Sequence, residues 1–206
     1  MTLFESILQR YGTNEPILSS EISFQDYSRP WIYKQLNQLC KDGKLVRYEK
    51  GIYYIPTQTP FGMSLLNPRK VIERKYISQG GETVGYYSGI TFQNQLRLTT
   101  QMPNVIEIYT NNETTRVRDV YVGKQKVLLR KARTKITAAN ADVLSFLELM
   151  NDLSPDALDD DKKAIITRFI ADRNITRKDI TTYAPVFPDK AMRTLIESEV
   201  IYSVAQ

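Results

Sequence analysis

The segment that decides the fold is residues 28–56, which read SRPWIYKQLNQLCKDGKLVRYEKGIYYIP. Its first half has the pattern of a single α-helix. Ser28 is a residue type that favours the N-cap, and Pro30 falls in the first turn, where its missing N–H costs nothing. Gly43 is typical of the position just after a helix. The apolar residues recur on one helical face, which is therefore predicted to be buried: Ile32, Leu36 and Leu39.

The second half of the segment predicts a tight β-hairpin. Residues 44–48 and 52–55 are rich in β-forming side chains, and Pro56 ends the second run. A helix followed at once by a short basic hairpin is typical of the end of a winged helix-turn-helix domain. DNA is therefore the leading candidate partner.

The residues before this segment supply the other elements of such a domain. They predict a helix that ends at Gly12, a short strand over 16–18 and a short second helix carrying Ile22. Three helices and a hairpin follow the order of a compact winged-helix domain. Residues 1–56 are therefore predicted to form a winged helix-turn-helix DNA-binding domain.

The rest of the chain is predicted to form a second domain. Residues 57–68 contain three turn-forming residues, two prolines and a glycine, which predicts a linker. Residues 69–134 predict an α+β unit around a small antiparallel sheet, and residues 135–206 return to helical spacing of apolar side chains. The domain over 69–206 thus has a helical C-terminal part. The fold class of the whole chain is predicted to be α+β.

The composition excludes several classes of site. The 206 residues include no histidine and a single cysteine, Cys40. The commonest general base and the commonest metal ligand are therefore missing, and we expect no metal and no cofactor. No apolar run is long enough for a membrane helix, and the N-terminus lacks the pattern of a secretion signal. We therefore expect a cytoplasmic protein with no membrane partner.

Charge is distributed unevenly along the chain. The net charge is +5, but residues 61–134 carry 12 basic and 5 acidic side chains, a net of +7. Residues 135–206 carry 9 basic and 12 acidic side chains, a net of −3. A basic middle region favours contact with a polyanion, although a solvated surface of mixed charge explains the same numbers.

The exposed face of the predicted helix carries side chains that can read DNA. Asn37 and Gln38 can bind adenine through two hydrogen bonds, and lysine or arginine can bind guanine. Arg47 and Lys50 on the hairpin are placed for phosphate contacts. The alternative is an ordinary amphipathic helix with a wet polar face. The residues predicted to contact DNA are Ser28, Arg29, Tyr33, Lys34, Asn37, Gln38, Lys41, Arg47 and Lys50.

Motifs with catalytic potential are weak. Residues 73–75 have the Glu-x-Lys spacing of some metal-dependent nucleases, but they lie in a helical pattern without an upstream aspartate partner. The carboxylates of Asp159–Asp161 suit the positive end of a helix dipole and need no metal to explain them. We therefore expect no enzymatic activity and no catalytic residues.

Two segments give the chain a family resemblance. One is KDGKLVRYEKGIYYIP over 41–56, and the other is YYSGITFQNQLRLTTQMP over 86–103. Together they resemble the AbiEi-type antitoxins of abortive-infection, type IV toxin–antitoxin systems. The second segment departs from the family pattern at Phe92 and Arg97, where small residues are common. The likeness covers residues 1 to about 135.

This resemblance implies a bacterial phage-defence protein. Its winged helix would bind inverted repeats in double-stranded promoter DNA and repress its own operon. Its C-terminal domain would neutralise a nucleotidyltransferase-like toxin without a stable complex. The basic residues Lys124 and Arg133 are further candidates beside the main set. The residues that the resemblance makes candidates for antitoxin activity are Ser88, Asn94, Arg97, Thr99, Gln101, Arg116, Arg118, Lys126 and Arg130.

Two other functions remain open at this point. One is a stand-alone winged-helix regulator whose C-terminal domain binds a ligand or a protein. The other is an enzyme that acts on nucleic acid or reverses a toxin's modification, with Glu73, Glu107 and Asp119 as its carboxylates. A toxic neighbouring gene distinguishes the antitoxin from the plain regulator.

Overall fold

A computed structural model describes residues 1–25 and 27–204. Its contacts divide it into two compact units, unit 1 over Met1–Arg74 and unit 2 from Lys75 onward. The segment 57–68, predicted to be a linker, folds as part of unit 1. Both units contain helices and strands, so the fold is α+β as predicted. None of the helices in the described ranges combines the length and apolar character that a membrane crossing requires.

The helices of unit 1 form largely where the sequence predicts them. Helix α1 (Leu3–Tyr11) is capped at its N-terminus by Thr2, whose hydroxyl accepts the Glu5 N–H at 3.2 Å in a capping box. Strand β1 (Ile17–Leu18) and a single 3₁₀ turn (Ser19–Glu21) follow, and then helix α2 (Arg29–Lys41).

The predicted second helix is the exception in unit 1. Only the 3₁₀ turn forms, and it ends before Ile22. Ile22 and Phe24 are buried while Ser23 between them is exposed. This alternation is the period of an extended chain rather than of a helix, and it lets two apolar side chains reach the core within three residues.

A three-stranded sheet closes unit 1. Strands β2 (Val46–Glu49) and β3 (Ile52–Tyr54) form the predicted hairpin, and β1 pairs with the other side of β3, giving the order β1-β3-β2. Both pairings are antiparallel. The core beneath them is made of fully buried side chains from β1, α2 and the loop before β2: Ile17, Leu36 and Leu45.

Local hydrogen bonds and ion pairs between residues distant in the sequence order the remainder of unit 1. Strands β4 (Gln58–Thr59) and β5 (Gly62–Met63) make a small hairpin, after which α3 (Pro68–Tyr76) begins. The Ser64 hydroxyl accepts the Thr57 N–H at 2.8 Å. Ion pairs join Lys70 to Glu15 and Arg74 to Glu21. These contacts explain why the predicted linker belongs to unit 1.

Unit 2 contains a four-stranded sheet. A short hairpin, β6 (Ser78–Gln79) and β7 (Glu82–Thr83), precedes it. The sheet then contains β8 (Gly85–Ser88), β9 (Val105–Thr110), β10 (Val117–Val122) and β11 (Gln125–Lys131), with α4 (Gly89–Gln95) between β8 and β9. The strand order is β10-β11-β9-β8.

The sheet of unit 2 is not wholly antiparallel, which corrects the prediction. Two of its pairings are antiparallel, but β9 and β11 run parallel, with Ile108 beside Leu129. The reason is burial. Strand β11 carries Val127 and Leu129, both fully buried, so it takes the central position. Strand β10 exposes Arg118 and Asp119 and lies at the edge, where polar residues are tolerated.

Helices fill the rest of unit 2, as predicted for its C-terminal part. They are α5 (Ala141–Asp152), α6 (Asp160–Asp172), α7 (Arg177–Tyr183) and α8 (Asp189–Glu197). Every residue of α5 from Val143 to Met150 is buried. This helix is therefore the centre of the unit's core.

Candidate functional site

The residues predicted to contact DNA lie together on the surface of unit 1. Helix α2 buries Ile32 and Leu36 against the core, so its opposite face points to solvent. All nine predicted DNA-contacting residues are exposed, seven at the start of or along α2 and two on the β2–β3 hairpin. Lys34, Arg47 and Lys50 form no ion pair with another described residue. These cations are therefore available to an external anion.

Two of the nine residues also make contacts inside unit 1. The Arg29 guanidinium donates hydrogen bonds to the carbonyl oxygens of Ser19, Ser20 and Ile22 at 2.9–3.0 Å. It therefore ties the 3₁₀ turn to the start of α2. Gln38 donates to the Asp42 carboxylate at 2.8 Å, a contact that base binding would have to exchange.

An aromatic stack marks the beginning of α2. The ring centroids of Tyr27 and Trp31 lie 3.9 Å apart with nearly parallel planes, and the Phe24 ring stacks with both, 5.9 Å from Tyr27 and 6.2 Å from Trp31. Tyr27 precedes the N-cap, so the stack fixes the direction in which the chain enters the helix, much as a hydrophobic staple does. Ser28 holds the N-cap position as predicted, but its hydroxyl makes no capping hydrogen bond.

In unit 2, three of the nine candidate antitoxin residues meet at one cavity. Ser88, Arg116 and Arg130 lie far apart in the sequence, yet all line this cavity of about 520 Å³. The cavity lies where β8 ends and α4 begins, between the sheet and the end of α5. The remaining lining is mostly polar: Glu107, Tyr109, Thr114, Val117, Lys131, Ala132, Arg133, Glu148, Asn151 and Asp152.

Gly89 allows the chain to turn closely at the cavity. Its φ of +57° is one that side-chain-bearing residues rarely adopt, and a Cβ there would collide with the Glu107 carboxylate. The Gly89 N–H donates a hydrogen bond to Asp152. The glycine therefore lets two carboxylates approach the same backbone segment, beside Ser88.

A fully satisfied ion pair forms the inner wall of the cavity. The Arg133 Nε and Nη2 atoms donate to the two Glu148 carboxylate oxygens at 2.8 and 3.1 Å. Glu148 also accepts hydrogen bonds from the Tyr109 hydroxyl at 3.0 Å and from Asn151 at 3.2 Å. Burial, together with the Glu148 charge, raises the pKa of Tyr109 to about 12. Tyr109 therefore remains a neutral donor at physiological pH.

Two other groups in the cavity are not satisfied in this way. The Ser88 hydroxyl is buried and has no hydrogen-bond partner among the described residues, which costs about 1–3 kcal/mol. Asp152 keeps part of its surface exposed. Nevertheless, the surrounding protein raises its pKa to about 6, first by desolvation and then through the charges of Glu148 and Glu107. Both groups are suited to a polar ligand.

The other candidate antitoxin residues do not line this cavity. The Asn94 side chain donates to the carbonyl oxygen of Gln101 at 3.1 Å, and the Thr99 hydroxyl accepts the Gln101 N–H at 3.1 Å. This loop therefore has an internal structural role. Arg118 pairs with the buried Glu113 at 2.7 Å, and Lys126 pairs with Asp119 at 2.7 Å on the edge strand.

Arg97 has an unusual backbone. Its φ is +64° at the position where α4 ends, a conformation that favours glycine. Its side chain lines a separate open groove of about 640 Å³ with Arg168 and Arg173.

Sequence reasoning missed two of the three acidic residues of the cavity, Glu148 and Asp152, and named Glu107 only as a carboxylate of the enzyme alternative. Glu148 is the one charged residue in the buried stretch of α5 from Val143 to Met150, and a carboxylate in such a mostly apolar stretch was the signal that could have found it. Asp152 and Lys131 gave no such signal, because pairing and packing alone bring them to the cavity. In the described ranges, no group of three His, Cys, Asp or Glu side chains is arranged to hold a metal ion.

Comparison with known proteins places the chain in a family. A family model described as a family of unknown function (DUF6088) matches residues 17–178. The chain belongs to this family. The match extends from β1 through α2 and the hairpin to the start of α7, so it contains every residue that lines the cavity. No curated protein matches the chain.

Proposed function

We propose that unit 1 of this DUF6088 protein is a winged-helix domain that binds double-stranded promoter DNA. The observation that carries the proposal is the exposed polar and basic face of α2, followed directly by the basic β2–β3 hairpin. The sheet order β1-β3-β2 supports it, because in winged-helix domains the strand after the first helix also pairs with the last strand of the wing. The 3₁₀ turn stands where such domains have their second helix.

In this proposal α2 enters the major groove. Asn37 and Gln38 read base edges, while Lys34 and Lys41 contact guanine or the phosphates beside it. The hairpin lies along the backbone, where its cations add affinity without sequence information. Arg29 acts mainly by fixing the start of α2. Tyr33, exposed on 44% of its surface, flanks the reading face.

We further propose that the protein is an AbiEi-like antitoxin that represses its own operon. Support comes from the resemblance of residues 41–56 and 86–103 to that family. A second support is that Ser88, Arg116 and Arg130 converge in space. Unit 2 would neutralise a nucleotidyltransferase-like toxin in a bacterial cytoplasm without a stable complex. The chain acts in this proposal as a binding protein rather than as an enzyme.

A transcriptional reporter tests the DNA-binding part. The chain's own upstream region drives the reporter, and expression of the protein is expected to lower its output. Asn37→Ala is expected to restore most of that output. Lys163→Gln on α6 removes one charge outside the proposed interface and is expected to repress normally. Equal reporter output with and without the protein would contradict the proposed repression.

Co-expression tests the antitoxin part. The adjacent gene is induced in a host with and without the protein, and growth is followed. An antitoxin restores growth that the neighbour alone arrests.

The second candidate, a ligand-responsive winged-helix regulator, is favoured by the polar cavity of unit 2. A neighbour that does not slow growth would favour that regulator over the antitoxin.

A further inference from the structure

Two carboxylates in the cavity of unit 2 keep oxygen atoms that have no hydrogen-bond donor. Glu107 on β9 accepts a hydrogen bond from the Arg130 guanidinium at one oxygen, at 3.2 Å, and its other oxygen accepts none from the described residues. Asp152 at the end of α5 accepts the Gly89 N–H and forms no ion pair within residues 1–25 and 27–204. One arginine therefore serves two carboxylates, and the pair is short of one positive charge.

Strand register places these groups on one face of the sheet. Ser88 lies opposite Glu107 in the β8–β9 pair, and Arg130 reaches the Glu107 carboxylate from β11. Lys131 follows Arg130 directly in β11, so its side chain alternates to the opposite face, and so does that of Arg116 across from it. These two cations therefore do not compensate the carboxylates.

The Ser88 hydroxyl is a third group without a partner. Ser88 is 3% exposed, and its Oγ atom makes no hydrogen bond to any part of the chain that the structure describes. It lines the cavity on the same face as Glu107, directly before the close turn at Gly89. A buried hydroxyl without a partner is unfavourable, and a ligand that binds it removes this cost.

The three groups match the donors of a primary ammonium group. Such a group has one positive charge and three N–H donors, and the cavity offers it oxygens of Ser88, Glu107 and Asp152. A metal ion is a poorer match, because the described chain arranges no three His, Cys, Asp or Glu side chains around one point. The volume of about 520 Å³ is typical of small-molecule sites. Arg130 donates only one hydrogen bond to another described residue, so its other N–H groups can bind hydroxyl oxygens of the ligand.

We propose that this cavity binds a small amino alcohol, with its ammonium group between Ser88, Glu107 and Asp152 and its hydroxyl groups toward Arg130. The site is independent of the DNA interface, since it is built wholly from residues 88–152 of unit 2. Its failure would leave the proposal for α2 untouched. A ligand there would give the protein a metabolite-sensing role beyond DNA binding.

Calorimetric titration of the full chain at pH 7.5 tests the proposal. The probes are 2-amino-1,3-propanediol, glycerol, which has a hydroxyl in place of the ammonium group, and n-butylamine, which has the ammonium group without hydroxyls. We expect saturable binding of the amino alcohol, binding of n-butylamine at least about fivefold weaker, and none of glycerol. Absence of amino-alcohol binding would overturn the proposal. Tighter binding of n-butylamine would indicate a lysine side chain as the occupant and would contradict it.

Matched variants locate the site. Asp152→Asn keeps an oxygen for the Gly89 N–H but removes the charge, and is expected to weaken amino-alcohol binding at least about tenfold. Ser88→Ala is expected to weaken it several-fold without lowering the melting temperature, because it removes a hydroxyl that has no partner. Asp172→Asn removes an exposed carboxylate from α6, outside the cavity, and is expected to change the affinity less than about twofold. A similar loss in all three variants would contradict the site.

The pH dependence of binding is an independent test. Desolvation, followed by the charges of Glu148 and Glu107, raises the pKa of Asp152 to about 6, while Arg130 and the Gly89 N–H act in the opposite direction. Protonation therefore removes the charge that attracts the ammonium group. We expect the affinity for 2-amino-1,3-propanediol to fall about tenfold from pH 7.5 to pH 5, and Asp152→Asn to abolish most of this fall. Equal affinity at both pH values would contradict the assigned position.

Magnesium chloride is the last probe, because carboxylates also bind divalent cations. We expect no saturable binding of magnesium at pH 7.5. Magnesium binding that Asp152→Asn abolishes would make the cavity a metal site, and the proposal would be wrong.

Discussion

The ion pair between Arg133 and Glu148 makes the sharpest stability prediction. Glu148 is only 2% exposed, and Arg133 supplies two of its four hydrogen bonds. Arg133→Met keeps much of the side-chain volume but leaves the buried carboxylate with two neutral donors. Breaking a buried pair from one side costs about 3–5 kcal/mol. Loss of the Arg133 contacts with the rings of Tyr109 and Phe187 acts in the same direction.

The second half of the mutant cycle isolates the charge. Glu148→Gln keeps an oxygen for the Tyr109 hydroxyl, and the arginine it leaves behind has 26% of its side chain exposed to water. We therefore expect this variant to cost only about 1–2 kcal/mol. The double variant buries no unpaired charge, so it is expected to be at least about 1.5 kcal/mol more stable than Arg133→Met alone.

Urea unfolding followed by far-ultraviolet circular dichroism measures this cycle. Fluorescence of Trp31, the single tryptophan of the chain, reports unit 1 separately. In thermal unfolding, we expect the melting temperature of the Arg133→Met variant to fall by about 6–20 °C. A cost below about 1 kcal/mol, or a double variant whose loss equals the sum of the two single losses, would refute the reasoning.

Three other substitutions test separate features of the structure. Arg97→Gly relieves a positive φ at the end of α4 and is expected to stabilise unit 2 by up to about 1 kcal/mol in urea unfolding; a loss of stability would contradict this. Arg29→Met removes three hydrogen bonds to carbonyl oxygens, so the free energy of unfolding of unit 1 is expected to fall by about 2 kcal/mol. Tryptophan fluorescence measures this loss, and a loss under about 0.5 kcal/mol would show that the contacts contribute little. The folded-state pKa of Asp152 is raised from 3.8 to about 6, so the folded protein favours the protonated carboxyl group. Its contribution to folding stability is therefore fully present below pH 4 and is lost as the pH rises through 6. Asp152→Asn is therefore expected to flatten the fall in melting temperature between pH 5 and 7.5, and an unchanged pH profile would argue against the raised pKa.

Local patterns predicted most of unit 1. The N-cap position and glycine end of α2, the β-rich runs of the hairpin and the stop at Pro56 are short-range signals, and the structure has each element within two residues of its expected place. The predicted helix carrying Ile22 does not form, because burial of Ile22 and Phe24 overrode helical propensity. The predicted extent of unit 1 was wrong because Ser64 hydrogen-bonds Asn14 and Arg74 pairs with Glu21, both of which are distant in the sequence.

Long-range pairing limited what could be predicted for unit 2. Every strand of its sheet gave a local signal, but the parallel pairing of β9 with β11 depends on which strand is most apolar over its whole length. The cavity depends in turn on that pairing, since it sets Arg130 beside Tyr109 and within reach of Glu107. Arg116, Arg130 and Arg133 were therefore predicted from the sequence, and Glu107 was named only for the enzyme alternative, while Glu148 and Asp152 became visible only in three dimensions.

Binding of the chain's own upstream DNA, measured by fluorescence anisotropy over a series of salt concentrations, tests the central claim most directly. We expect binding that weakens steeply with salt and favours the upstream sequence over a scrambled one. Lys50→Gln is expected to reduce the salt slope by about 1, and Asn37→Ala to lower the sequence preference by about 5–150-fold. Equal affinity for both DNAs, unchanged by either substitution, would contradict the assignment of α2 and the hairpin as the DNA-reading surface.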